Sequence, residues 1–222
     1  MREEKFPPIE IREFGRVSYG EALELQTELV SLRRRGEIPD QLLLLEHPHV
    51  ITAGASSHRD HILLSAEELE ARDIQFHSAG RGGDVTYHGP GQLVGYPILC
   101  LDPDRRDLHR YLRDLEEVLI QTLGHFGIEA TREEGFTGVW ASGGKVAAIG
   151  VRVSSGWITS HGFALNVDPD LSFFSTIVPC GIHDRPVASM KDLLRRPILL
   201  QEVVPPLVRS FERVFSRGAI VV

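Results

Sequence analysis

Apolar residues recur every three or four positions in three long segments, the spacing typical of amphipathic helices. The segments cover residues 18–36, 107–127 and 200–216. The first opens with a capping-box sequence and the first two end at glycine, as helices often do. Shorter helices are predicted from Ser65 and over residues 190–194.

Continuous apolar or alternating runs separate these helices and predict strands. An apolar run buried on both faces is expected at residues 40–46, and short runs follow at 74–76 and 93–99. After the second long helix, glycine and serine turns divide further runs, which indicates an antiparallel meander. Its predicted strands cover residues 138–141, 146–153, 157–165 and 171–177.

The order of these elements is helix, strands, helix, strands and helices, which favours an α+β fold over a βαβ alternation. Pro205 and Pro206 occur early in the last helix, where missing N–H donors cost least, so its start is expected between about residue 200 and these prolines. No repeat, low-complexity tract or linker interrupts the pattern. We therefore expect one domain over residues 1–222.

Composition indicates an ordinary globular protein, with 42% hydrophobic and 25% charged residues. The net charge of −7 argues against nonspecific nucleic-acid binding. The charged N-terminus and the absence of a long apolar run argue against a secretory signal or a membrane helix, so we expect a cytoplasmic protein. Basic runs at 33–35, 104–106 and 195–196 are either solvated helix ends or docking points for an acidic partner.

The two cysteines have different surroundings. Cys100 closes an apolar run and is expected to behave as a small buried hydrophobe. Cys180 stands between proline and glycine, where a break between elements presents a side chain to a pocket. In a cytoplasmic protein both are expected to be reduced thiols, and Cys180 is either inert or a reactive group.

A glycine-rich segment, RGGDVTYHGPG, covers residues 81–91 and precedes an apolar strand. Glycines allow backbone N–H groups to approach a ligand, so the segment either lines a small-molecule pocket or is a tight connection. A second segment, GGKVAAIG at 143–150, carries Lys145 beside apolar strand residues. Burial there lowers a lysine pKa and makes the amine a base, whereas an exposed Lys145 would only guard a strand edge.

Together with SHGFALN at 160–166 and VPCGI at 178–182, these segments form four motifs in a fixed order. The chain thereby resembles the lipoyl(octanoyl) transferase family over nearly its whole length. The resemblance implies a mixed, largely antiparallel β-sheet flanked by helices, the fold of the biotin and lipoate protein ligase catalytic domains. One departure is Ala188, where family members often have threonine.

The resemblance also implies a reaction: transfer of an octanoyl or lipoyl group from an acyl carrier protein thioester to a specific lysine of a lipoyl domain. Its implied catalytic pair is Lys145 as proton acceptor and Cys180, which either forms an acyl thioester or acts as acid and base. The implied substrate-binding residues are Arg81, Gly82, Gly83, Tyr87, His88, Gly89, Ala147, Ala148, Ile149, Gly150, His161, Gly162, Phe163 and Ala164.

An octanoyl tail needs an apolar slot, and burying its methylenes at about 0.8 kcal/mol each contributes on the order of 5 kcal/mol. Backbone N–H groups at Gly83, Gly89 and Gly162 are candidate donors to the thioester carbonyl. The candidate walls of the slot are Tyr87, Leu93, Val94 and residues 147–150 and 163–165.

No nucleotide or metal cofactor is expected. A thioester already carries the driving force for amide formation, and the acyl group arrives on the phosphopantetheine arm of the carrier. The H-x-H and H-x-x-H spacings of His47, His49, His58 and His61 lack a carboxylate or cysteine at a suitable interval, so we predict no zinc site.

The implied partners are octanoyl-acyl carrier protein and the apo lipoyl domains of 2-oxoacid dehydrogenase complexes and of the glycine cleavage H protein. Two alternatives remain at the level of sequence. An ATP-dependent lipoate or biotin protein ligase would share the fold and the lysine without needing Cys180. A non-catalytic acyl-binding domain would keep only the fold.

Overall fold

The computed structural model describes residues 7–178 and 186–222. Its helices are α1 (Tyr19–Arg34), α2 (Ala66–Ala71), α3 (Leu108–His125), α4 (Met190–Leu194) and α5 (Leu200–Phe215), with short 3-10 helices at Arg59–His61 and Leu171–Thr176. Its strands are β1 (Ile9–Arg16), β2 (Gln41–Glu46), β3 (Val50–Ala53), β4 (Gln75–Ser78), β5 (Val85–His88), β6 (Gln92–Ile98), β7 (Thr131–Glu133), β8 (Phe136–Ala141), β9 (Gly144–Ser154), β10 (Ile158–Asn166) and β11 (Ala219–Val221).

The larger sheet has the strand order β11-β1-β2-β6-β10-β9-β8-β7. The two pairings at the β11 edge are parallel, and every pairing from β2 to β7 is antiparallel. Helices cover both faces of this sheet. The predicted α+β architecture with a mixed, largely antiparallel sheet is therefore confirmed.

Strand β2 shows how the two faces are filled. Leu42 and Leu44 point into the core formed with α3 and α5, whereas Leu43 and Leu45 point into the core formed with α1. Side chains alternate between the faces of a strand, so a strand at the centre of a three-layer fold must be apolar throughout. This is why residues 40–46 lack polar alternation.

A smaller sheet, of order β4-β3-β5, lies beside the larger one. Strand β5 falls inside the glycine-rich segment, where no strand was predicted. Its outer face packs on a separate apolar cluster that includes Phe173, Phe174 and Ile177. The motif is thus a strand between two glycine turns.

The predicted long helices and the predicted meander of β8, β9 and β10 are present, but one local prediction was wrong. Residues 171–177 do not form a strand; the Asp170 carboxylate accepts the Ser172 N–H and starts a 3-10 helix. Helix α5 begins at Leu200, as the apolar spacing predicted, and the Glu202 carboxylate accepts the Leu199 N–H there, so the helix starts before Pro205 and Pro206.

Strands β1, β3, β7 and β11 were not predicted. Each is short or has few alternating apolar residues. The partners of β1 and β11 lie far away in the sequence, whereas β7 pairs with the adjacent strand β8. None of the described helices is long and apolar enough to cross a membrane.

The start of α1 gives a stability test. The Ser18 hydroxyl accepts the Glu21 N–H, and the Glu21 carboxylate accepts the Ser18 N–H. We expect Ser18→Ala to lower the free energy of unfolding by about 1 kcal/mol, measured by urea denaturation, because the Glu21 N–H loses its acceptor while the backbone N–H of residue 18 still bonds the Glu21 carboxylate. Thr27→Ala, at an exposed position within the same helix, is the matched control and should change stability by less than about 0.5 kcal/mol. Equal losses in both variants would contradict the cap.

Candidate functional site

A pocket lies where the smaller sheet meets the larger one. Strands β5, β9 and β10 supply most of its wall, and single residues come from the start of α1 and from β6. The lining residues are Tyr19, Arg81, Gly83, Asp84, Thr86, His88, Tyr96, Lys145, Ala148, Ile149, Gly150, His161, Gly162, Phe163 and Ala164.

Alternation along β5 decides which of its residues reach the pocket. Thr86 and His88 face the pocket, and Val85 and Tyr87 face the opposite side. The Tyr87 hydroxyl lies 2.7 Å from His49 Nδ1, and its ring stacks on Phe173. Tyr87 therefore does not line the pocket, contrary to the prediction.

Strands β9 and β10 form the opposite wall through paired small and apolar residues. Ala148 pairs with Ala164, Ile149 with Phe163, and Gly150 with Gly162. Ala147, between two pocket-facing stretches, is fully buried in the main core and does not line the pocket. Leu93 and Val94, the other predicted walls, also belong to the cores on the two faces of the larger sheet.

Two predicted glycines support the pocket from outside its lining. The Gly82 N–H donates to the Val151 carbonyl at 2.9 Å and so ties the glycine-rich segment to β9. At Gly89 a Cβ atom would lie 1.9 Å from the Tyr87 hydroxyl, so only glycine fits there. Neither glycine contacts the pocket space, and the prediction that they bind substrate directly is not supported by their placement.

Arg81 is the main structural cation of the pocket wall. Its guanidinium donates to the carbonyl oxygens of Thr52, Gly82 and Asp84 and to the Thr52 hydroxyl, at 2.8–3.1 Å. The side chain crosses β9 at Gly150, where a Cβ atom would meet Arg81 Cδ at 2.9 Å. Arg81 thus holds the two sheets together and places a positive charge beside the pocket.

The imidazoles of the pocket are neutral at neutral pH. Burial lowers the pKa of His161 to about 4, with a smaller contribution from the positive charge of Arg81. Burial also lowers the pKa of His88 well below its usual range, assisted by His47 and Arg81. These rings therefore act as hydrogen-bonding groups rather than as proton acceptors near pH 7.

Behind His88, a hydrogen-bonded chain fixes the tautomer of His47. The Nδ1–H of His47 donates to the Val17 carbonyl at 2.7 Å, so Nε2 accepts from the Tyr96 hydroxyl, also at 2.7 Å. Burial lowers the pKa of His47 to about 4. Tyr96, whose side chain is held by this bond, is one of the residues that line the pocket.

Tyr19 is a pocket residue that sequence reasoning missed, because it appeared there only as part of a capping box. Its side chain is 2% exposed and its hydroxyl has no hydrogen-bond partner within residues 7–178 and 186–222. Burial raises its pKa, so the hydroxyl stays protonated. Tyr96, Asp84 and Thr86 also line the pocket and were not predicted. For Asp84 and Thr86 the only signal in the sequence is the alternation of side chains along β5, which puts both on the same side as His88.

Lys145 lines the pocket at the start of β9, and its Nζ lies 5.0 Å from the centre of the Trp140 ring. The Lys145 backbone bonds to the Pro186 carbonyl at 2.9 Å and to the Ala188 N–H at 3.0 Å. Cys180, the other half of the predicted pair, lies outside the described residues. The described residues nearest to Cys180 in the sequence are Val178 and Pro186, and the Pro186 carbonyl accepts the Lys145 N–H.

Three of the four histidines considered for a zinc site make separate hydrogen bonds, and the ring of the fourth, His58, lies 5.4 Å from that of His61. His47 bonds to Val17 and Tyr96, His49 to Tyr87, and His61 to Asp84. Over the part of the chain that the structure describes, no group of three or more histidine, cysteine or carboxylate side chains is arranged to hold a metal ion.

The fold is that of lipoate and biotin ligases. The structure aligns with lipoate-protein ligase A bound with ATP at a TM-score of 0.73 and 16% identity, over 98% of this chain and 89% of that one. It aligns with biotin protein ligase from Aquifex aeolicus at a TM-score of 0.53 and 11% identity, over 94% and 69% of the two chains.

The sequence narrows this class to a family. Residues 18–212 match the lipoyl protein ligase A/B catalytic domain, and the chain belongs to that family. It is 53% identical over 206 residues to the octanoyltransferase of Solibacter usitatus, covering 93% of this chain and 92% of that protein. It is 52% identical over 217 residues to the octanoyltransferase of Rubrobacter xylanophilus, covering 96% and 97%.

The neutral imidazoles make stability depend on pH. The folded-state pKa of His161 lies below its unfolded value, so its stabilising contribution is present above about pH 6.5 and is lost as the pH falls towards 4. We expect acidification from pH 7 to pH 5 to cost about 2 kcal/mol of unfolding free energy through this group.

The test compares urea denaturation at the two pH values in wild type and in His161→Asn. Asparagine suits the position because the backbone φ there is +54°. The variant should lose less stability than wild type on acidification, whereas His109→Gln, at an exposed position on α3, should behave like wild type. An unchanged pH dependence in His161→Asn would contradict the assignment.

Proposed function

We propose that this protein is an octanoyltransferase that moves an octanoyl group from a carrier thioester to the amine of a specific lysine on a lipoyl domain. The observation that carries the proposal is identity above 50%, over more than nine-tenths of both chains, to relatives named octanoyltransferase. The whole chain is proposed to act as one catalytic domain.

The spacing of the pocket-lining residues along β9 suits an eight-carbon chain. An extended octanoyl group has seven carbon–carbon bonds of about 1.5 Å and spans about 9 Å. Strand β9 rises about 3.3 Å per residue, so a carbonyl held beside Lys145 brings the tail alongside Ala148 and Ile149. Phe163 and Ala164 face this stretch from β10. The apolar part of the wall therefore matches the length of the acyl tail.

Lys145 and Cys180 are proposed as the reacting pair. Lys145 lines the pocket, and its backbone is bonded to Pro186 and Ala188, within a few residues of Cys180 in the chain. Lys145 accepts a proton, and Cys180 either carries the acyl group as a thioester or moves protons. The positive charge of Arg81, and that of Lys145 once it has accepted the proton, favour the oxyanion that forms on the thioester carbonyl.

The proposed reaction needs neither ATP nor a metal, because the thioester supplies the driving force. The proposed donor is octanoyl-acyl carrier protein, and the proposed acceptors are lipoyl domains of 2-oxoacid dehydrogenases and the glycine cleavage H protein. An ATP-dependent ligase is the second candidate, since the fold is also that of lipoate-protein ligase A. The two differ in whether a nucleotide is required.

The decisive experiment mixes the protein with octanoyl-acyl carrier protein and an apo lipoyl domain without nucleotide. Mass spectrometry of the acceptor should show the mass of one octanoyl group. Transfer only from free octanoate and ATP would establish the ligase instead. No transfer under either condition would leave an acyl-binding domain and contradict both enzyme proposals.

The reacting pair is tested by substitution. Lys145→Ala and Cys180→Ser should each reduce transfer by at least about a hundredfold, since each removes a group that moves a proton or bonds the acyl carbon, with a native circular dichroism spectrum. Lys191→Ala removes a surface lysine paired with Asp168 and serves as the lysine control. Cys100→Ser is the thiol control, because Cys100 does not line the pocket. Wild-type turnover in Cys180→Ser would overturn the pair.

A further inference from the structure

A second cavity, which we call the α1 groove, continues the acyl pocket along strand β9. The pocket-lining residues of β9 lie between Lys145 and Gly150, whereas residues 152 and 154 of the same strand line the groove. Helix α1 covers the groove, which has a volume of about 360 Å³. His161 lines both cavities, so it stands at the boundary between them.

The backbone of His161 is held in an uncommon conformation. Its φ is +54°, a value that residues other than glycine and asparagine seldom adopt. Its N–H donates to Gln26 Oε1 at 2.7 Å, which ties this point of β10 to helix α1. Such conformations persist only where the surrounding structure fixes them, and they cluster at ligand sites. The bond to Gln26 therefore determines where the imidazole stands.

Gln26 is an unexpected residue on the buried face of α1. It is 2% exposed, and its neighbours Ala22 and Leu29 on that face belong to an apolar cluster. Its Nε2 has no hydrogen-bond partner within residues 7–178 and 186–222. Burying an amide with an unsatisfied donor costs stability, so packing does not account for a glutamine here. Its contribution is the bond to the His161 N–H.

The Lys145 side chain indicates where a bound acyl chain begins. It runs alongside Gly138, where a Cβ atom would lie 2.6 Å from Lys145 Cε and 3.3 Å from Nζ. Val139 pairs with Ala147 in an antiparallel register, which puts Gly138 beside Ala148. Lys145 Nζ therefore lies near the level of Ala148 on β9, and a thioester carbonyl in contact with it starts there.

The distance from this point to His161 matches an octanoyl chain. Val151, which pairs with His161, is three residues beyond Ala148, or about 10 Å along the strand. An extended octanoyl group spans about 9 Å, so its methyl end reaches the imidazole. A dodecanoyl group has four more carbon atoms and spans about 14 Å, so it would have to cross the position of His161.

We propose that the His161 imidazole closes the far end of the acyl pocket and so limits the chain to about eight carbons, and that Gln26 positions it. This inference rests on the proposed octanoyl transfer, with the thioester beside Lys145. Burial keeps the ring neutral, so a methyl group can contact it without desolvating an ion. Removal of the ring joins the pocket to the α1 groove, where Leu23 and Val30 offer apolar contacts to a longer chain.

The test compares kcat/KM for transfer from octanoyl-, decanoyl- and dodecanoyl-acyl carrier protein to one lipoyl domain. Wild type should transfer dodecanoyl at least about a hundredfold more slowly than octanoyl, because the longer chain is obstructed. His161→Gly removes the ring and suits the positive φ, so it should raise the dodecanoyl-to-octanoyl ratio at least about tenfold. Circular dichroism should show a native spectrum for this variant.

Three further variants distinguish a closed pocket end from a general loosening of the fold. Gln26→Ala removes the acceptor of the His161 N–H and should raise the same ratio about threefold or more. Thr27→Trp, added to His161→Gly, fills the groove with an indole ring and should return the ratio towards the wild-type value. Thr27→Ala is the matched control, since Thr27 lines the groove and its hydroxyl bonds only to the Leu23 carbonyl among described residues, so this variant should keep the wild-type ratio.

Two outcomes would overturn this inference and leave octanoyl transfer intact. One is a wild-type protein that transfers dodecanoyl as fast as octanoyl. The other is an unchanged ratio in a folded His161→Gly protein. Should that variant not fold, His161→Asn carries the same test, because asparagine is shorter than histidine and tolerates the positive φ. Failure of the wild-type protein to transfer octanoyl at all would instead contradict the proposed function.

Discussion

The pocket depends on the contact between the Arg81 side chain and strand β9. Arg81 bonds carbonyl groups of the smaller sheet while crossing the larger sheet at Gly150, and the neighbouring Gly82 N–H bonds the Val151 carbonyl. Without this junction, β5 would have no fixed distance from β9 and β10. The cavity between the sheets exists because a buried guanidinium satisfies several backbone acceptors at once.

Exposure to solvent divides the histidines in and beside the pocket into a buried group and a partly exposed one. Deep in the pocket, desolvation keeps His88 and His161 neutral, so they are suited to hydrogen bonding along the wall. At the accessible side, the imidazole of His61 meets a carboxylate and remains reachable. The fold therefore keeps the imidazoles inside the pocket neutral and leaves a partly exposed imidazole, bonded to Asp84, beside it.

Local sequence features predicted much of the scaffold. Helices α1, α2 and α3 follow from capping residues and apolar spacing, because those signals act within a few residues. The meander of β8 to β10 follows from its turns. Strands β1 and β11 were missed because their pairing partners are remote, and residues 171–177 were misread because the Asp170 cap was not recognised. Long-range pairing has no signature in a short window.

The four motifs in their order were enough to place the chain in its family and to single out Lys145, Arg81, His88 and His161, which share one pocket. The sequence by itself could do this because those motifs combine unusual residues at fixed local spacings. Only the tertiary structure decided that Tyr87 faces away while Tyr19 and Asp84 face the pocket, and that His61 meets Asp84. Those outcomes depend on strand alternation and on contacts between distant segments, which exist only after the two sheets have packed.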